Sequence, residues 1–392
     1  MENKIKEIVK NNEEFLINFR RELHMHPETS MEEFRTTKRI SEELTARGIE
    51  HKVIEPVGVI AEIKGGKPGK TVALRGDMDA LTMDEFTDVS YKSQIPGKMH
   101  GCGHDAHTAM LLAAAVSLNE IKAELSGNVR FLFQPAEEIV EGADLLIKNG
   151  GMDNVDNVFG MHVSPSLKAL TAGALAGAIY ACADIIKITF KGVGGHGAYP
   201  HETVDALVMA AQFIVNVQTI VSRLMPPLED AVVTFGKIVA GSRFNIIAQE
   251  AVLDGTVRCF SAENRDLIEN TIRRYATHIA EMYNGSVEID YNRASLPVIN
   301  EERSIELAKK VITDNFGPEH LVKGEITMGA EDFSCYLEKA NGCFLNLGTG
   351  NAEKDTEYVA HSSYFNIDED ALCFGCQLMC LYAWSYLVQN EF

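Results

Sequence analysis

Residues 100–108 read His-Gly-Cys-Gly-His-Asp-Ala-His-Thr and open onto a long apolar stretch. Imidazole, thiolate and carboxylate together are the ligand set of zinc, manganese or nickel. Cys102 and His104 stand two apart in a loop, so both can face one ion, and Gly101 and Gly103 free the backbone to turn. A cysteine on a metal is a thiolate. The cluster has company. Glu137 and Glu138 follow one strand later in Phe-Gln-Pro-Ala-Glu-Glu, His162 follows the next strand, and His361 lies near the C-terminus. Neighbouring side chains point in different directions, so one glutamate suits metal ligation and the other suits a general base. A divalent ion lowers the pKa of a water it binds toward ~7, within reach of such a base. The plain alternative for the pair is a solvated acidic helix start. The buried strand and Pro135 before it argue against that.

Other residues extend the set. Asp77 and Asp79, in Arg-Gly-Asp-Met-Asp-Ala-Leu, end a core strand. There they can orient metal-binding histidines or support the base, or simply turn the chain. His196 sits in the glycine-rich Gly192-Val-Gly-Gly-His-Gly-Ala-Tyr-Pro-His. It suits stabilisation of a tetrahedral oxyanion, reached across a domain cleft or a dimer; His201 is a weaker candidate. Asn245 and Arg258 suit a substrate carboxylate, which arginine grips in bidentate fashion. His24, His26, His100 and His107 need no role beyond hydrogen bonding. Cys373, Cys376 and Cys380 fall at i, i+3 and i+7 among apolar residues and read as core cysteines of a helix.

The elements that hold these residues alternate. Two amphipathic helices are expected over 4–48, with a turn at Pro27. Two strands follow in 52–76, then a helix at 106–124, a strand at 129–133, a helix at 142–149 and a strand at 157–163. Such alternation makes an α/β domain with a largely parallel sheet flanked by helices. Open sheets of this kind bind ligands beyond the C-terminal strand ends, where Asp77, Glu137, Glu138 and His162 come together. After residue 184 the pattern changes to β-α-β-β-α-β, a ferredoxin-like order. Residues 184–294 thus read as an inserted lid and dimerisation domain, between catalytic segments 1–183 and 295–392.

Bulk properties bound the function. The 392 residues suffice for two cores. A net charge of −20 argues against a nucleic-acid partner. No apolar run of membrane-spanning length and no secretory signal is read, so no membrane partner is expected. Eight cysteines are sparse for this length and suggest a reduced, cytoplasmic protein.

The chain resembles the di-metal amidohydrolases of the aminoacylase and carboxypeptidase superfamily. More narrowly it is similar to the branch holding hippurate hydrolase, indole-acetyl-amino-acid hydrolases and N-acetyldiaminopimelate deacetylase. The motifs that carry this are Arg75-Gly-Asp-Met-Asp-Ala-Leu, Met99-His-Gly-Cys-Gly-His-Asp, Phe133-Gln-Pro-Ala-Glu-Glu, Gly160-Met-His-Val, Gly194-Gly-His-Gly-Ala-Tyr-Pro-His and Gly329-Ala-Glu-Asp-Phe. The resemblance implies a di-zinc-peptidase-like catalytic domain with two divalent ions (Mn, Zn, Ni or Co) on Cys102, His104, Glu138, His162 and His361. It implies Glu137 as general base and acid, Asp77 as a supporting carboxylate, and His196 acting from the lid across a homodimer or larger assembly. Thr82, Gly101 and Ala206 depart from this branch, which usually has proline, alanine and proline there; none removes a ligand.

The expected reaction is hydrolysis of the amide bond of an N-acyl-L-amino acid. A dipeptidase or carboxypeptidase acting on dipeptides is the near rival. A thiol hydrolase using Cys102 with His104, and a non-catalytic binding protein, are the distant ones.

Overall fold

The strand Lys67–Asp77 starts exposed and ends fully buried, because it runs parallel between two neighbours, Ser126–Gln134 and Asn157–Lys168. This computed structural model describes residues 1–388. It divides into two compact units, Met1–Ile179 with Ile299–Glu325 and Asp332–Phe392, and Tyr180–Val298 with Ile326–Glu331.

The first unit is built on an eight-stranded mixed sheet. Its strand order is Glu50–Val53, Val59–Lys64, Ser126–Gln134, Lys67–Asp77, Asn157–Lys168, Asn341–Gly350, Ala172–Ala174 and Leu321–Lys323. The central pairings are parallel and the antiparallel ones lie toward the edges. Two helices, His104–Asn119 and Asp370–Val388, are buried almost all round. They pack on each other and on the central strand, which explains why neither shows a polar face. Cys373, Cys376 and Cys380 are buried in this packing.

The second unit carries a four-stranded antiparallel sheet ordered Ala231–Ala240, Glu250–Cys259, Ala183–Lys191, Ser286–Ser295. With helices Ala206–Val217 and Ala262–Met282 it has the ferredoxin-like order. Its core includes Ile186, Ile188, Phe190, Phe213 and Ile272.

Several local expectations change. The N-terminal region holds three helices, Glu2–Asn11, Glu13–Met25 and Phe34–Ala46, because Asn12 leaves the helical conformation and turns its side-chain amide onto the Ile8 carbonyl. Residues 50–77 hold three strands rather than two. His162 lies inside a strand that runs on to Lys168. Two helical stretches, Ala206–Leu224 and Asp370–Val388, are long and apolar enough by composition to cross a membrane. The second is a core helix, with 83% of its most apolar window buried in the protein. The first buries Met209, Ala210, Phe213 and Val217 against its own unit's sheet.

Candidate metal centre

Strand ends and one helix start deliver the ligand atoms. Asp77 closes the central strand, and Glu137 and Glu138 follow the neighbouring strand by a short turn. His104 is the first residue of its helix, entered through Gly103 at φ 88°. A Cβ at Gly103 would stand 2.4 Å from Val163 Cγ2, so the close approach of loop and strand needs glycine. His361, at φ 66°, anchors its own loop by donating its backbone N–H to the Gly101 carbonyl at 2.8 Å.

The five expected ligands converge in the first unit. Cys102, His104 and His162 form one set of donor atoms lying within 4.8 Å of one another. Cys102, Glu138 and His361 form another, and His104, Glu137 and Glu138 a third, on the same 4.8 Å criterion. Cys102 Sγ stands 3.4 Å from His162 Nε2, and His361 Nε2 stands 3.4 Å from Glu138 Oε1. His104 Nε2 and Glu138 Oε1 lie 3.9 Å apart, both buried and without a hydrogen-bond partner among the described residues. A buried imidazole nitrogen left bare, as His104 Nε2 is, is costly unless a ligand satisfies it. The donor set therefore fits divalent cations.

The ring tautomers agree. His162 Nδ1 donates to the Val163 carbonyl at 2.8 Å, which leaves Nε2 as the lone-pair atom. Burial, then His107, pushes this ring down to about 3, so it stays neutral. His104 turns Nδ1 to Asp79 Oδ1 at 3.1 Å, again freeing Nε2. Burial alone would lower the His104 ring, but Asp77, Cys102 and the Asp79 hydrogen bond together hold the ring well above its ordinary value. The site thus draws in positive charge. Burial pushes the Cys102 thiol up to about 12, which disfavours a free thiolate nucleophile at neutral pH.

A buried network stands behind the ligands. Asp77 is fully buried, with Oδ2 on Arg75 Nη1 at 2.5 Å and Oδ1 on His107 Nδ1 at 2.6 Å. The Val163 N–H donates to His107 Nε2 at 2.9 Å, so Nδ1 carries the proton and donates to Asp77. Asp77 Oδ2 also stands 3.9 Å from His104 Nε2. Arg75 reaches Gln134 Oε1 at 2.8 Å and Asp332 Oδ1 at 2.9 Å, tying three segments together. Asp79 accepts from the Glu138 N–H at 3.0 Å and from Ser30 Oγ at 2.7 Å. His107 is therefore part of the scaffold, and Asp79 is the residue that contacts the His104 ring. Spacing alone did not separate Asp79 from Asp77, since two strand-end aspartates two apart point the same way. Arg75 and Asp332 lay inside quoted motifs, but nothing in their spacing showed that they meet.

His196, Asn245 and Arg258 lie in the second unit. His196 is exposed on a two-residue strand paired with Ile246, and the Gly197 N–H donates to the Asn245 carbonyl at 2.9 Å, so His196 and Asn245 are neighbours. Arg258, half-buried, turns its guanidinium onto Thr256 and the Val257 carbonyl of its own strand. His201 is exposed beside Glu202.

Residues 73–385 match Peptidase family M20/M25/M40. Thermostable carboxypeptidase 2 of Saccharolobus solfataricus is 39% identical over 377 residues, 95% of each chain. N-acetylcysteine deacetylase of Bacillus subtilis is 39% identical over 364 residues, 92% of this chain and 94% of its own. The crystal structure of the Bacillus subtilis YXEP protein, a dinuclear metal binding peptidase from the M20 family, is similar with a TM-score of 0.85 at 36% identity. It covers 96% of this chain and 99% of the other. A match over most of the chain, with nearly full-length relatives at this identity, makes the protein a member of peptidase family M20/M25/M40 and a metal-dependent amidohydrolase.

Proposed function

We propose that the protein hydrolyses the amide bond of N-acyl-L-amino acids, releasing a carboxylate and a free amino acid. Cys102, His104, Glu138, His162 and His361 would hold two divalent ions of the Mn, Zn, Ni or Co class. Bound there, such ions polarise a carbonyl and make water more acidic. Glu137 takes a proton from the attacking water, whose oxygen adds to the acyl carbon. The tetrahedral centre then expels the amine nitrogen as the C–N bond breaks, and Glu137 returns its proton to that nitrogen. Asp77 supports the site by holding Arg75 and His107 in place. His196 would meet the oxyanion, and Asn245 and Arg258 the substrate carboxylate. The observation that carries this reading is the grouping of Glu137 with His104 and Glu138 inside 4.8 Å. A carboxylate so close to the proposed ligand atoms supports Glu137 as the base.

A homodimer or larger assembly through the second unit belongs to the same proposal. Its support is exposed apolar surface: Leu207, Val208 and Val215 on the helix Ala206–Val217, and Ile238 and Val239 on the edge strand Ala231–Ala240. Eight free thiols fit a reducing, cytoplasmic location.

The test is Glu137→Ala in manganese- or zinc-loaded protein, assayed on N-acetyl and N-benzoyl amino acids. Turnover should fall about 10²–10⁴-fold while bound metal stays unchanged. Undiminished turnover, or activity that survives chelation, overturns the proposal. A carboxypeptidase or dipeptidase activity is the second reading, favoured by the name of the Saccharolobus relative. Faster release from dipeptides than from N-acyl amino acids would select it.

A further inference from the structure

Glu33 is fully buried at the start of the helix Phe34–Ala46, yet its side chain does not cap that helix. Glu28 does so instead, accepting from the Arg35 and Thr36 N–H groups at 2.9 and 2.8 Å. Glu33 reaches away, and its Oε1 accepts from the Ala136 N–H at 2.8 Å. Its Oε2 is buried without a hydrogen-bond partner among the described residues.

Ala136 begins the turn that carries Glu137 and Glu138, and it is left-handed, with φ 53° and ψ 40°. That conformation is disfavoured for any residue bearing a Cβ. Two residues on, the Glu138 N–H donates to Asp79. The amides on either side of Glu137 therefore each end on a buried carboxyl group. The N-terminal segment that supplies Glu33 is itself fixed, since Thr29 bridges Ala80 and Ser30 donates to Asp79.

We propose that Glu33 is a positioning residue: by accepting the Ala136 N–H it holds the strained turn from which Glu137 and Glu138 project. This rests on the reading of those two residues as base and metal ligand. What the turn needs from Glu33 is one acceptor atom and no charge. Burial, then the Asp79 charge, pushes its carboxyl group up to about 8, so glutamine reproduces the neutral form.

Three variants test this, with manganese affinity of the stripped protein and steady-state rates as readouts. Glu33→Met keeps volume and apolar fit but removes the acceptor. It should lose about 10–100-fold in manganese affinity or in kcat, with KM changed far less. Glu33→Gln should stay within about 3-fold of wild type on both, since its carbonyl accepts the same bond. Adding Ala136→Gly to Glu33→Met should recover part of the loss, because glycine adopts positive φ freely; a role in packing alone would not respond. Should Glu33→Met fail to fold, Glu33→Asp, which withdraws the acceptor by one methylene, takes its place with the same expectation. Wild-type behaviour of Glu33→Met, a Glu33→Gln as damaged as Glu33→Met, or no recovery with glycine each overturns the inference. Wild-type protein that binds none of manganese, zinc, nickel or cobalt overturns the functional reading with it, whereas normal manganese binding and normal kcat in both wild type and Glu33→Met overturn only the role of Glu33.

Discussion

The two units keep their candidate residues in opposite surroundings. In the first, Asp77, Asp79, His104 and His107 are all but sealed from water, and hydrogen bonds to carboxylates, imidazoles and backbone fix their orientation. In the second, His196 and Asn245 stand in solvent, and the His196 ring accepts from the Ala198 N–H at 3.1 Å. The difference separates two kinds of site residue. A buried, hydrogen-bonded set is organised before substrate arrives, which is what strong electrostatic catalysis requires. An exposed histidine in a glycine-rich loop is free to meet something that comes to it.

The sharpest way to break the comparison is His104→Ala. Loss of this proposed ligand should release bound manganese or zinc and cut turnover by about 10³-fold or more, several kcal/mol of transition-state stabilisation. Metal analysis of dialysed protein beside a rate assay reads both. A variant that keeps metal and rate would remove the ground for calling this region the reaction centre.

Burial should also make the first unit fragile. Arg20 is fully buried and donates to Asp105 Oδ2 at 2.7 Å, one residue along the helix from His104. Arg20→Met removes one of the two charge partners of Asp105 Oδ2, the other being His24, and should cost about 3–5 kcal/mol in denaturant unfolding. Replacing Asp105 with leucine in the same chain should restore part of it, since His24 keeps Glu85 as a partner. His196→Ala is the counterpart in the second unit. It should cost about 10²–10³-fold in kcat, yet leave unfolding within about 0.5 kcal/mol of wild type. A large stability loss with normal kcat would show that His196 is structural and that exposure was the wrong guide.

The same contrast explains what was legible in the sequence. Cys102 and His104 stood out as candidate ligands because such residue types are rare at so short a spacing, and Glu138, His162 and His361 because they lie in the motifs that carry the resemblance. The alternation of strands and helices was readable from the hydrophobic pattern and the turn residues between elements. Of the scaffold behind them, Asp77 and Asp79 were in view and the rest was not. Glu33 and Ala136 are 103 positions apart, and an ordinary glutamate before a helix reads as a cap or a solvated charge. Only the fold shows that Glu28 takes the cap and Glu33 the turn. The break at Asn12 and the third strand in 50–77 were missed for a related reason: a short interruption leaves the surrounding periodicity almost intact.

Solution pH gives a smaller effect with a definite sign. His24 is buried with Nδ1 on Asp105 at 2.8 Å and Nε2 on Glu85 at 3.2 Å. Burial would lower its ring, but Asp105 and Glu85 raise it above the ordinary value. Its contribution to stability is complete below about 6.5 and is lost as pH rises through the folded value. Burial would raise Asp105 and Glu85; Arg20 and His24 hold the first below its ordinary value, and His24 the second. Their contribution is complete above about 4.3 and is lost as pH falls through the folded values. Stability from this cluster should therefore be greatest between about 4.3 and 6.5. His24→Gln should flatten the alkaline side, read from urea midpoints at several pH values. An unchanged alkaline slope would place the titration elsewhere.

Gly101→Ala should do least, and it probes where the rigid region ends. Alanine is the residue this branch usually carries there. An added Cβ would stand 2.8 Å from Met83 Sδ and 3.3 Å from Leu81 Cδ1. A thioether is unbranched and swings aside easily, and Gly101 is not among the residues of positive φ, so neither packing nor backbone opposes the change strongly. The cost should stay below about 1 kcal/mol. The informative readout is manganese affinity, because the Gly101 carbonyl holds the His361 loop and Cys102 is the next residue. An unchanged affinity means that Met83 absorbs the strain and that the ligand loop is insulated from its lining. A tenfold loss would mean that this loop is as tightly determined as the Asp77–His107 network, and the sealed region would then extend through Gly101 to His361.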